Sequence, residues 1–158
     1  GVMPLAPSFD TVGWFARDPG TLRRVGAVLL GAEGEAGRWR RLLLAEDAFG
    51  LALPEAQKAL EPFVERLAQR LSPAGTISAA AGGSLQDWMW RFRQIQAREI
   101  MQTQGPWIAE ARPRFGPEIQ ERFDWAATIP EAAATEAREQ REVFARRLAG
   151  LLGEDAVL

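Results

Sequence analysis

Apolar residues recur along this chain at two spacings, and the alternation between them lays out its elements. From Pro19 onward Leu22, Val25, Val28 and Leu29 fall at the helical period, and Gly31 ends the run. Residues 31–38 are small and charged and read as a surface loop. Leu42, Leu43, Leu44 and Ala45 form a short continuous apolar run, the signature of a strand buried on both faces, and Glu46-Asp47 leads from it into a loop. Between about Pro54 and Leu71 the helical period returns, with Ala56, Leu60, Phe63, Val64, Leu67 and Leu71 on one face; Pro62 inside it predicts a kink or restart. A second strand is predicted at Thr76–Ala79, after Pro73 and Gly75, followed by a turn at Ala80–Gly83.

The second half is helical in pattern. Ser84 with Asp87 three residues later forms a capping box, opening a helix with Trp88, Phe92 and Ile95 on one side. Gly105-Pro106 is expected to stop it near Gln104, with a short helix over Pro106–Ala111. Another helix starts after Gly116, with Pro117 in its first turn. The longest is expected from Thr128, where Thr128 and Glu131 read as a second capping box. Ala133, Ala137, Phe144, Leu148 and Leu151 form its buried stripe, and Gly153 caps it. Ala156-Val157-Leu158 reads as the start of another buried strand. Strand, helix, strand, helices, strand is an α/β order, here incomplete at both ends, with 1–19 a loop and 20–158 an α/β helical segment. The strands at 42–45, 76–79 and 156–158 are expected to leave open sheet edges and a route to self-association.

Composition narrows the chemistry more than the fold. The chain has 158 residues, 47 % of them hydrophobic, which suits one globular domain. A net charge of −2 argues against a nucleic-acid partner, and no apolar run is long enough for a membrane span. With no leader-like N-terminus and no Cys, a cytoplasmic location is expected. The absence of Cys and His removes thiolate nucleophiles, the usual metal ligands and every Ser-His-Asp triad, so no metal and no cofactor is expected. Lys58 is the only lysine; a Ser/Lys pair would need it beside Ser8, Ser72, Ser78 or Ser84, yet its neighbours Glu55 and Glu61 mark a solvated helix face. Glu46-Asp47 lies at the carboxyl edge of a strand, where α/β proteins place ligands, but reads as a loop with solvated charges. Glu142 and Arg146 can pair one turn apart on a charged helix face. Trp88, Trp90, Arg91 and Arg93 could form a base-stacking surface and read better as a buried aromatic stripe beside exposed arginines.

The opening segment is the richest. Pro7-Ser8-Phe9-Asp10-Thr11-Val12-Gly13-Trp14 offers two hydroxyls, a carboxylate and two aromatics. It can be a site lining, or a tight turn in which Asp10 and Thr11 satisfy backbone amides, with a short strand at Thr11–Ala16. Gly1, Pro4, Leu5, Ser8, Asp10, Thr11, Gly13 and Arg17 match a stretch of the form G-x-x-P-L-[SA]-x-S-[LF]-D-T-x-G-x-x-[AV]-R-[SD], with Trp14 where many sequences have Pro. This resembles the amidase-signature family, in its amidase and indole-acetamide hydrolase-like branch. The resemblance implies part of a mixed sheet covered by helices, and hydrolysis of a small-molecule carboxylic amide to acid and ammonia by a Ser–cis-Ser–Lys triad. No position here matches that triad, so no catalytic residue is carried over; it is expected upstream, and the chain alone is expected to be inactive. Ser8, Asp10 and Thr11 are implied to support the active site, and Trp14 and Phe15 to face the substrate. The alternative is a non-catalytic binding module, since the family includes amidase-like proteins without the triad, a chloroplast import receptor among them.

Overall fold

The computed structural model describes residues 3–31 and 39–158; the remainder of the loop expected at 31–38 and the motif's Gly1 lie outside them. The elements run α1 (Pro19–Leu30), β1 (Arg41–Ala45), α2 (Glu46–Phe49), α3 (Pro54–Ala68), β2 (Ser72–Ile77), α4 (Leu85–Ala111), α5 (Pro117–Thr128), α6 (Glu131–Leu152) and β3 (Ala156–Val157). The α/β class expected from the pattern is what forms.

The three strands make one parallel sheet in the order β2-β1-β3. β1 lies in the centre, as its apolar run requires, and buries Leu43 and Ala45. The Ala156 strand expected at the chain's end lies beside it, tied by a bidentate use of Asp155. That residue's carbonyl accepts from Arg40 N and Arg41 N, and its carboxylate takes Arg41 Nε at 2.8 Å. β2 starts earlier than expected, at Ser72, and takes in Pro73 and Gly75. The ladder slips one residue there, and Gly75 has φ +106°, a conformation that glycine adopts without strain. Ser72 N donates inward to Arg40 O, so the next nitrogen, that of Pro73, faces outward, where a missing N–H blunts the open edge.

The main hydrophobic packing sits among the last three helices. Ile95 and Ala97 of α4, Ala126 of α5, Ile129, and Ala134 and Ala137 of α6 are all buried, and the two α6 alanines have no exposed surface. Small residues at those crossings let the helix backbones approach closely. Trp88 stacks on Phe144, with ring centroids 4.6 Å apart, and Trp90 meets Trp125 at 5.7 Å. Arg91 pairs with Glu136 and Arg98 with Glu131. The stripe is thus buried only in part: Trp88 packs against α6, whereas Trp90 and Phe92 stay 43 % and 39 % exposed.

Four local expectations are corrected. Thr11–Ala16 is irregular and not a strand. Glu46-Asp47 opens the short helix α2 rather than a loop. α4 does not stop at Gly105-Pro106 but continues to Ala111, making it the longest helix; it ends with Arg112 in the left-handed region at φ 44°. A proline inside a helix costs about 3 kcal/mol, and α4 runs through it while packed against α5, α6 and the opening segment. Finally, Thr128 is not an N-cap. It closes α5, its hydroxyl donating to Trp125 O at 2.7 Å, while Pro130 starts α6 and Glu131 binds Arg98 and Arg138 instead. Glu142 pairs with Arg141, its chain neighbour.

Candidate functional site

The opening segment folds back on itself before it meets the rest of the chain. Ala6, buried at 1 % exposure, turns the backbone: its carbonyl accepts from Phe9 N and Asp10 N at 2.8 and 2.9 Å. The Asp10 carboxylate closes the same turn from the other side, accepting Leu5 N at 2.9 Å and Ala6 N at 3.2 Å. This is the local chemistry expected of an aspartate in a turn. Thr11 makes no hydrogen bond among the described residues, so that half of the expectation is corrected.

The closed turn is then fastened to α4 at three places. Ser8 donates its backbone N–H to Glu99 Oε2 at 2.9 Å and its hydroxyl to Glu99 Oε1 at 2.5 Å. Thr103 Oγ1 lies 2.7 Å from Leu5 O, and Gln104 Nε2 donates to Pro4 O at 2.5 Å. Glu99 and Gln104 are each only 7 % exposed. A buried carboxylate that accepts two donors from one serine holds that serine in one orientation, because any other leaves charge unsatisfied in a low dielectric. Phe9 extends the clasp by meeting Phe92 edge to face at 4.7 Å, and it enters an apolar groove of about 500 Å³ between α4 and α6.

Trp14 turns away from the clasp. Its Nε1 donates to Leu22 O at 3.1 Å, and its ring lies so close to Gly26 that a Cβ there would meet Cζ2 at 3.0 Å. Glycine inside α1 is thus the seat of the indole. Asp18 caps the same helix, accepting Thr21 N and Thr21 Oγ1 at 2.8 Å each, and these bonds, the backbone one first, hold its carboxyl below the usual range. Phe15 projects fully into solvent. Ser8 and Asp10 therefore come together on the clasp, while Thr11, Trp14 and Phe15 do not join them.

A second knot lies at the carboxyl ends of β1 and β2, where parallel sheets commonly present ligands. Asp47, expected to be solvated, is instead a structural acceptor. It takes Ala80 N at 2.8 Å, Ala79 N at 3.0 Å and Ser78 Oγ at 3.0 Å. These bonds, the Ala80 amide foremost, pull its pKa down to about 2. Arg147 locks the same turn to α6 by donating to Ala79 O and Ser78 O, both at 3.1 Å.

Neither locus carries an activated nucleophile. Lys58 is exposed on α3, and among the described residues no serine hydroxyl bonds to it. Ser84 caps α4 in the expected capping box. Glu99, Thr103, Gln104, Asp47 and Arg147 carry the geometry; of these the sequence singled out only Asp47, and as a solvated charge rather than an acceptor. Their partners lie between 31 and 100 positions away, a separation that leaves no local pattern.

Comparison with known proteins agrees with the opening segment. No family model and no solved structure matches the chain. Over its whole length it is 29 % identical to Amidase 1 of Arabidopsis thaliana, of which it covers 44 %. Over 75 % of its length it is 31 % identical to the chloroplastic Outer envelope protein 64 of the same plant, of which it covers 24 %. It is 27 % identical throughout to Translocon at the outer membrane of chloroplasts 64 of Pisum sativum, covering 31 % of that protein. The chain thus spans less than half the length of these relatives. No helix among the described residues is long and apolar enough to cross a membrane. Together the likenesses support an amidase-signature-like kinship for this chain.

Proposed function

We propose that this chain is the bracing part of an amidase that hydrolyses small carboxylic amides to acid and ammonia, its nucleophile and base supplied by residues outside these 158. The observation that carries the reading is the clasp. The segment resembling the amidase motif is held rigid by Asp10 within itself and by Glu99 through Ser8, which is how a catalytic centre built on neighbouring backbone would be kept in register. In this reading Ser8 and Asp10 are positioning residues and Thr11 faces the missing part. Phe15, bare to solvent, and Trp14, seated against α1, offer aromatic surface to an apolar acyl group. A cytoplasmic location belongs to the same proposal.

The similarity to two chloroplast envelope proteins favours a second reading, a non-catalytic binding module. Release of ammonia from a panel of aryl and alkyl amides separates the two. The first reading expects turnover by the product of the full open reading frame and none by the 158-residue chain. A full-length product that releases no ammonia would leave the binding module standing, and turnover by this chain alone would overturn the account of its missing nucleophile.

A further inference from the structure

The groove between α4 and α5 differs in its electrostatics from the one between α4 and α6, although the two share Met89 and Phe92. In the α4–α6 groove the cations are already neutralised: Arg91 pairs with Glu136 at 3.1 Å and Arg141 with Glu142 at 3.2 Å. The α4–α5 groove has a volume of about 600 Å³, within the range of small-molecule sites. Its lining among the described residues includes two guanidiniums, Arg93 and Arg122, and no Asp or Glu. Among the described residues neither arginine has a carboxylate partner; Arg93 lies over the Trp125 ring at 4.8 Å, and Arg122 is exposed on α5. Gln96 lines the same groove, and Ile100, Phe123 and Trp125 give it an apolar body.

We propose that this groove binds a small amphipathic carboxylate, a molecule with an aryl or alkyl body and one anionic head. A guanidinium presents a planar fork that matches a carboxylate through two parallel hydrogen bonds, and it sheds its hydration more readily than an ammonium. Two such forks beside an apolar floor, with no carboxylate among the described lining residues, favour an acid over its neutral amide or a plain hydrocarbon. The Trp125 ring, 4.8 Å from the Arg93 guanidinium carbon, draws that fork to the apolar wall of the groove. The proposal does not depend on amide hydrolysis by the parent protein.

Calorimetric titration with 4-phenylbutyrate and with its amide tests it. The acid binds saturably and at least tenfold more tightly than the amide, and added salt weakens the acid alone. Arg122→Gln, a surface change, lowers affinity for the acid about tenfold, while Arg91→Gln in the other groove leaves it unchanged. Absence of saturation by the acid, equal binding of acid and amide, salt-independent binding of the acid, or an Arg122→Gln protein that binds the acid as before would each overturn it. The salt dependence of the unaltered protein decides the matter even if a variant fails to fold.

Discussion

α3 and α4 announce themselves in the same way, as helical runs with an apolar face, yet they end in opposite environments. On α4, Ile95 and Ala97 vanish into the contact with α5 and α6, and even polar Gln94 is drawn in, its Oε1 left without a partner among the described residues. On α3, Leu60, Phe63 and Leu67 remain 45–56 % exposed. α1 repeats the case of α3, with Val28 and Leu30 largely in solvent. Amphipathic spacing states that a face is suited to burial. It does not state that a partner is present, because the burial free energy belongs to two surfaces and the pattern describes one.

The contrast can be broken at its strong end first. Ile95→Ala, at a fully buried position, should destabilise the chain by about 2–5 kcal/mol. Chemical denaturation that finds less than 1 kcal/mol would mean the three-helix packing is loose. Ala137→Leu attacks the same contact by overfilling it and should cost about 1–3 kcal/mol; a neutral result would place free space between α4 and α6. Glu99→Ala unfastens the opening segment and leaves two Ser8 donors unpaired, for about 1–2 kcal/mol in the same measurement. It should also speed proteolysis within residues 3–18, and unchanged cleavage there would show that Glu99 does not fasten the opening segment.

Asp47 gives a smaller effect, confined to acid. Its folded pKa, about 2, lies below the ordinary aspartate value near 3.9. The unfolded chain therefore takes up its proton first as pH falls. The contribution of Asp47 is whole above about pH 4 and is lost as pH drops through 2. The melting temperature should fall across that window, and Asp47→Asn should flatten part of the fall. A variant with the same acid profile as the parent would show that the knot adds nothing to pH dependence. Glu131, held low chiefly by Arg138 and then by Arg98, adds to the fall in the same direction. Last comes α3: Leu67→Ser should change stability by no more than about 0.5 kcal/mol, as for an ordinary surface position. A loss of several times that would mean a partner covers the α3 face in solution, and the contrast with α4 would dissolve.

Several features were decided by residues a few positions apart and so were legible in the sequence alone. Ser84 and Asp87 cap α4, Pro117 starts α5, Gly153 ends α6, and the apolar run at 42–45 becomes the central strand of a parallel sheet. The Asp10 turn belongs with them, since donor and acceptor lie within five residues. Only the tertiary structure carried α4 through Pro106, turned Glu131 from a cap into an ion-pair hub, and made Asp47 and Glu99 the acceptors of two knots. In each of those cases the deciding partner lies on another element. A side chain's preference is local, but whether a buried charge or a helix-breaking ring is tolerated depends on what the rest of the fold brings against it.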